Sequence, residues 1–541
     1  MRGFTVNGYR DSIYMLRFSC FRKLVLEESG MIEQVLVVAA LVATPVAAIT
    51  AVVVGRNSAD LAARCSAIIG FAGWVAAIVL AILRLVAPGE DTVRVGGVAL
   101  TIDWLAVMML MLVLGLSAVI QSYAVRYLRG DARQVWFVVT ANLVTASTVL
   151  MVCASTVLGF GLAWLAAGAS LVGLLATYPR LPQARDGVRR TAARFVVGDV
   201  PLMAAVIILM VSNGGNVALA DVGEVARGMS PLLATVVALL LVIPALARSS
   251  QVPFHGWLPA TLAAPTPISA LMHAGVVNAG AILILRFSPS LGESIAAMTV
   301  VFIAGGVTLV YASAVRLVKP DVKGRLVFST MAQMGFMILA CGMGAFAAAV
   351  FHLIAHGLFK SALFLGAGSG VAREASQRAW PVPEATAWPR ATAAIAVATI
   401  VPIAAIVTAR ILLDVELSAA SQGLQLFVVF TAAVALGTTL WRHFSASTAI
   451  LGGLAIIALT FGYTALINVF ETALGFGPVP AAVNAWWLIA PGVALLALQL
   501  LLRPGRGNSL TYPLYAMALA AGTPSATAQP QSVTLEKGFL S

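Results

Sequence analysis

Charge is scarce in this sequence. Lys, Arg, Asp and Glu make up 10% of the 541 residues, whereas a soluble globular chain carries about 25%. A chain so poor in charge cannot coat itself in water, so a soluble enzyme and its own catalytic chemistry are not expected. Cysteine is scarcer still. Cys20, Cys65, Cys153 and Cys341 lie far apart with no CxxC spacing, so neither a disulfide framework nor a zinc or iron–sulfur site is encoded. No metal or cofactor is expected on the chain itself. Long polar stretches are also missing. The breaks at 178–192, 371–390 and 503–541 are the longer ones, and none is long enough to fold as a separate domain.

What is present is apolar sequence, 60% of the chain. Runs of roughly 20 residues recur from Met31 to Leu502, the length that crosses a ~30 Å hydrocarbon core at 1.5 Å per residue. They fall at 31–54, 66–87, 101–122, 134–153, 156–177, 193–212, 229–247, 267–286, 294–318, 325–343, 345–370, 391–413, 423–440, 446–472 and 480–502. The expected fold is all-α, a polytopic transmembrane bundle of about 15 crossings; a β-barrel and a single-anchor receptor are excluded. The net charge of +12 speaks of loop topology and anionic lipid rather than nucleic acid. Residues 1–30 are mixed and basic, without the apolar core and small-residue cleavage site of a secretory signal. The start is expected at Met31, with 1–30 as an extension that precedes the translated protein.

An ionisable side chain at mid-bilayer costs about 2.5–3.5 kcal/mol on insertion scales, so each one inside an apolar run is a functional candidate. These are Asp103, Asp199, Arg248, His273, His352, His356, Lys360 and Arg410. His352, His356 and Lys360 stand at i, i+4 and i+8, on one helix face at steps of about 6 Å. Histidine titrates near 6.5, and a desolvated lysine moves toward neutrality, so the row suits proton transfer through bridging water. Polar contact between helices is the plainer alternative, and a metal held by HxxxH is a third, disfavoured because no carboxylate or cysteine accompanies the pair.

Proline marks two further places. Arg248 stands between Pro244 and Pro253, and Arg410 follows Pro402 in an otherwise apolar run. Paired interrupted helices in two halves of a chain point to an inverted-repeat transporter, although either arginine also has the reach to snorkel to a headgroup. The stretch PFHGWLPATLAAPTPISALMH, residues 253–273, is too rich in proline for a plain spanning helix. It reads as a re-entrant or broken element, with His255 interfacial, followed by a helix that carries His273 near its first turns. The glycines of GAGSG, residues 366–370, follow a helix rather than a strand, so they read as packing glycines and not a phosphate loop.

The motifs SSQVPFHGWLP (249–259) and APTPISALMHA (264–274) closely resemble the hallmark segment of the proton-conducting antiporter-like subunits of respiratory complex I, Mrp antiporters and related assemblies. DVKGRLVFSTMAQMG (321–335) followed by FHLIAHGLFKSALFL (351–365) resembles the second hallmark, and DWLA at 103–106 and Gly198-Asp199 also fit. The likeness covers most of 95–415. It implies two inverted five-helix repeats with broken helices, each with a central basic residue, joined by a polar axis at mid-membrane. Arg248 and Arg410 resemble those central residues, normally lysines; His273, His352, His356 and Lys360 resemble the connecting chain, with Asp321 and Lys323 in support.

Two departures stand out. The family's glutamate beside a tryptophan is here Leu165 after Trp164. Arginine holds its proton where a buried lysine releases it, so Arg248 and Arg410 are expected to be fixed charges or gates, with Asp199 a substitute partner for Arg248. The chain also ends soon after Leu502, so the long lateral helix and anchor of complex I's distal subunit are not expected. Together these features resemble most the membrane subunit of the DAB-type inorganic-carbon pump of the bacterial inner membrane. That resemblance implies a large, soluble, zinc-binding partner similar to β-carbonic anhydrase, and flow of H+ or Na+ that drives CO2 hydration to bicarbonate there. A subunit of complex I or a membrane hydrogenase, or of an Mrp sodium/proton antiporter, is the alternative. The expected segments are 1–30 (extension), 31–130 (N-terminal helices), 131–290 and 291–440 (the two repeats), 441–502 (C-terminal helices) and 503–541 (polar tail). The tail and the amphipathic stretch from Ala379 are candidate docking segments.

Overall fold

The computed structural model describes residues 7–87, 91–367, 388–415, 417–442, 445–477, 479–502 and 511–522, and the chain is 81% helical. In order the elements are α1 (Asn7–Val54), α2 (Ala59–Val86), β1 (Thr92–Val95), β2 (Val98–Thr101), α3 (Trp104–Tyr127), α4 (Gln134–Val152), α5 (Val157–Leu175), α6 (Pro182–Ser212), α7 (Val222–Gly228), α8 (Pro231–Arg248), α9 (Trp257–Ala260), α10 (Thr266–Ala274) and α11 (Ala279–Arg286). They continue as α12 (Ser288–Leu291), α13 (Ile295–Val318), α14 (Val322–Gly342), α15 (Phe346–Leu365), α16 (Trp388–Leu413), α17 (Ala419–Arg442), α18 (Ala446–Leu474), α19 (Ile489–Leu501) and α20 (Thr511–Gly522).

Among the described residues, twelve helical stretches are long and apolar enough to cross a membrane, so this is a multi-pass membrane protein. The other three of the expected crossings are helical too, as α16, α17 and α19, but their described apolar parts are shorter. In the last of these, helix starts only at Ile489, with Pro491 in its first turn where a missing N–H costs nothing. The span expected from Met31 is part of a helix already running from Asn7.

The helical fold expected from the sequence is the one observed, with one short addition: Thr92–Val95 pairs antiparallel with Val98–Thr101, because β-branched residues flank Gly96 and Gly97, whose φ values of 55° and 83° suit a two-residue hairpin turn. Two expectations are corrected. The prolines near the two arginines do not interrupt their helices. α8 continues through Pro244 to Arg248 and α16 through Pro402 to Leu413, since neighbouring helices in a bundle re-satisfy the backbone that proline frees. The interruptions lie at 249–265 and at Gly275, where α10 stops and a 3-10 turn, Val276–Asn278, leads into α11. His273 is therefore in the last turn of a nine-residue helix, not near the start of a long one. Glycine is a poor helix former, which favours a stop there. Finally, the C-terminal segment is not uniformly polar. α20 packs Ala518 against Val318 and Leu502, and Lys319 Nζ donates to the Gly522 carbonyl at 2.7 Å, where a cation complements the helix end. The stretches 368–387, which includes Ala379 and most of GAGSG, 503–510 and 523–541 lie outside the described residues.

Two units are compact in themselves. One comprises Met1–Leu174, Val206–Met229 and Ala473–Gly475, and the other Leu175–Ala205, Ser230–Thr472 and Phe476–Ser541. In the first, α1 to α4 pack around a buried uncharged network. Gln121 donates to Ser117 at 2.9 Å and Asn142 donates to Ser66 at 2.8 Å, so these polar groups are paired rather than left bare in an apolar bundle. In the second, α13 lies backbone to backbone on α14. A Cβ at Gly305 would strike the Leu339 amide, and one at Gly335 the Leu309 amide. Only glycine permits that approach, which fixes where α14 stands and hence where its polar face is aimed.

Candidate functional site

The second unit contains two polar constellations. In one, α6 presents Asp199 to Arg248, the last residue of α8. The guanidinium donates to Asp199 Oδ1 at 2.9 Å, with side-chain exposures of 1% for Arg248 and 17% for Asp199. Phe195, one turn before Asp199, covers the guanidinium with its ring centroid 4.2 Å from Cζ. The contact depends on Gly198, whose missing side chain lets α6 approach Pro244 and Ala247. Where sequence offered Asp199 as a substitute for the missing acidic partner, the structure pairs it with Arg248. This is a buried salt bridge, in which desolvation is offset only by good geometry.

The other constellation lies on α10, α14 and α15. Lys360, buried, donates to Ser329 Oγ at 2.8 Å. His356, also buried, has Nδ1 2.7 Å from Gln333 Oε1 and Nε2 3.2 Å from the His273 carbonyl. His352 stacks on His356 with centroids 6.0 Å apart, and lies 5.1 Å from the Phe336 ring. The imidazole of His273 stacks on Phe364 at 4.4 Å. Because α14 and α15 are joined by a short turn and run antiparallel, Ser329, Gln333 and Phe336 at i, i+4 and i+7 meet Lys360, His356 and His352 in reverse order. The row of protonatable groups on α15 thus faces a matching row on α14. Among the described residues, two buried nitrogens, His273 Nδ1 and His352 Nε2, have no hydrogen-bond partner; both are positions where a water would satisfy the ring.

The remaining candidates are placed elsewhere. Asp103, in the first unit, is the N-cap of α3 and accepts from the Ala106 amide at 2.8 Å. Asp321 likewise caps α14 through the Gly324 amide. Lys323 ties the Pro-rich loop to α14: its Nζ donates to the Leu262 carbonyl at 2.7 Å and to that of Ala264. Arg410 is half-buried in the last turn of α16. His255 sits half-buried in the loop between two spans, edge-on to Tyr311 at 4.9 Å. Burial, and then the nearby Arg194, hold it below the usual histidine range. Sequence reasoning did not single out Ser329, Gln333, Phe336 or Phe195. The signal for the first three was their helical spacing opposite the ladder. Among the described residues, no group of three or more His, Cys, Asp or Glu is placed to hold a metal ion.

Comparison with known proteins matches residues 154–381 to the family "NADH:quinone oxidoreductase/Mrp antiporter, TM". Residues 96–138 match "NADH-Ubiquinone oxidoreductase (complex I), chain 5 N-terminus". A probable inorganic carbon transporter subunit, DabB1, of Halothiobacillus neapolitanus is 38% identical over 278 residues, 50% of this chain and 49% of the relative. The corresponding DabB subunit of Bacillus subtilis is 35% identical over 276 residues, covering 50% and 54%. NADH-quinone oxidoreductase subunit L of Mycobacterium tuberculosis is 34% identical over 273 residues, covering 50% and 43%. The chain spans about half the length of these curated relatives. Among solved structures, a chain of the Mrp complex from Dietzia sp. DQ12-45-1b superposes with a TM-score of 0.56 at 25% identity, over 90% of this chain and 52% of that one. A chain of an archaeal membrane-bound sulfane sulfur reductase shares the fold, with a TM-score of 0.56 over 90% and 97% at 15% identity. Residues 96–138 and 154–381 of this multi-pass protein thus belong to the antiporter-like membrane subunits.

Proposed function

We propose that this chain is the cation-conducting subunit of an energy-coupled inorganic-carbon pump in a bacterial inner membrane. The observation that carries this reading is the row on α15 of buried Lys360, buried His356 and half-buried His352, each faced by a side chain of α14. A proton entering such a row moves by short transfers between nitrogen, hydroxyl and water, and no step demands a bare charge in hydrocarbon. Arg248, neutralised by Asp199 and incapable of giving up its proton at ordinary pH, acts as a fixed charge that biases the row rather than as a carrier. Arg410 plays the corresponding part in the second of two inverted repeats, 131–290 and 291–440. The ion is H+ in this reading, with Na+ the other candidate.

The chain supplies ion flow and no bond chemistry of its own. That flow drives CO2 hydration on a large, soluble, zinc-binding partner similar to β-carbonic anhydrase. The names of the DabB relatives support the carbon reading. The similarity to subunit L and to an Mrp complex supports a second one, a pumping subunit of a respiratory or antiporter assembly. Purification through a C-terminal tag in mild detergent, with identification of what accompanies the chain and assay of bound zinc, separates the two. A single large zinc protein, with bicarbonate uptake that depends on both components, is the expected result. Iron–sulfur, quinone-site or small antiporter subunits in its place would overturn the carbon-pump reading.

A further inference from the structure

The two hydrogen bonds of His356 are not alike. Nε2 faces the backbone carbonyl of His273 at 3.2 Å. That carbonyl belongs to the last turn of α10, where the helix stops at Gly275 and leaves carbonyls without intrahelical donors. A carbonyl only accepts, so Nε2 must carry a hydrogen in every protonation state of the ring. The proton that comes and goes is therefore on Nδ1, and Nδ1 faces the Gln333 carboxamide at 2.7 Å. A carboxamide is the one side-chain group with an acceptor oxygen and a donor nitrogen interchangeable by a half-turn of its terminal bond. When Nδ1 is protonated it donates to Oε1; when it is bare it accepts from the amide N–H of the turned group.

We propose that Gln333 is a positioning residue that follows the protonation state of His356, turning its carboxamide as the proton arrives and leaves, so that both forms of the ring stay hydrogen-bonded. The inference rests on the proton-relay reading of the ladder and deepens it. A carboxylate at this place would trap the imidazolium, and an apolar side chain would leave Nδ1 unpaired in a buried site. Either change would turn a way-station into a stop. The titratable groups that face His356 are His352 and Lys360 from its own helix and His273 from α10, while α14 brings Lys323 to bear on His273. At His356 itself α14 offers the uncharged Gln333.

The test uses the full chain with 15N-labelled histidine in lipid nanodiscs, the His356 signals being assigned by their loss in His356→Asn. In the wild type, Nε2 stays protonated across the pH range while Nδ1 titrates. In Gln333→Glu, Nδ1 is expected to remain protonated at pH values where the wild type is mixed. In Gln333→Met, of similar shape but without donor or acceptor, the Nδ1 titration is expected to move away from the wild-type curve. An unchanged His255 signal, from the loop beside α13, shows that each variant has folded. In reconstituted transport both variants are expected to lose on the order of 10²-fold in rate, the usual worth of a positioned acid or base. Identical His356 titration in all three proteins overturns the proposal. Altered titration with undiminished transport would uphold the pairing of Gln333 and His356 and locate the failure in the relay reading.

Discussion

Asp199→Asn tests the buried ion pair between α6 and α8. The substitution keeps shape and hydrogen-bonding reach and removes one charge, leaving a guanidinium that is 1% exposed beside a neutral amide. Removing one partner of a buried pair costs about 3–5 kcal/mol. Asp199 is itself 17% exposed, so some water reaches its carboxylate, and the Phe195 face at 4.2 Å still shields the cation after the change. Both considerations put the cost at the lower end, about 3 kcal/mol, or roughly 10²-fold in the folded-to-unfolded ratio. A double-mutant cycle with Arg248→Met isolates the pair. Equilibrium unfolding in mixed micelles should show each single variant strongly destabilised and the double variant far less so than their sum, with a coupling of at least about 2 kcal/mol. A coupling below about 0.5 kcal/mol, the worth of an exposed pair, would refute the claim that the buried arginine is held by Asp199.

Lys323→Met removes the donor to the Leu262 and Ala264 carbonyls, and hydrogen exchange at 257–264 should quicken, with a stability loss of about 1–3 kcal/mol. An unchanged exchange rate would show that the loop is held by its own turns. His255 carries a pH signature. Its folded-state value is lowered, so the unfolded chain takes up the proton first, and stability should fall as pH drops below about 6.5 and be retained above it. His255→Asn should flatten that acid limb in a thermal unfolding series; an unaltered limb would assign it to other groups. Asp103→Ala should cost about 1 kcal/mol through the lost cap, be rescued by Asp103→Ser, and leave transport rate unchanged. A large loss of rate with normal stability would return Asp103 to the pathway.

Helices were legible because a bilayer demands long apolar runs, and nothing in those runs contradicts the demand. The row on α15 was legible as well, since the helical repeat alone aligns His352, His356 and Lys360. What faces it was not, because the register of α14 against α15 is set by the short turn at 343–345 and by Gly305 and Gly335 on a third contact surface. Proline was a mixed guide: it marked the interruption at 249–265, but Pro244 and Pro402 are absorbed within helices, and the further break at Gly275 falls at an inconspicuous glycine. The hairpin at 92–101 had its signal in plain view, Gly96-Gly97 between β-branched residues, but the surrounding hydropathy outweighed it. Asp103 looked like an intramembrane acid because its neighbours are apolar, yet an acid that precedes a helix is first of all a cap.

The central claim is that protons pass along the α15 row, and Lys360 is its most deeply enclosed member. The most direct measurement is proton flux into proteoliposomes containing the protein as purified, wild type against Lys360→Met, read with an internal pH dye at matched protein insertion. Flux is expected to fall on the order of 10²-fold with the protein correctly folded. Undiminished flux in the variant would contradict that claim and make the row a set of interhelical contacts.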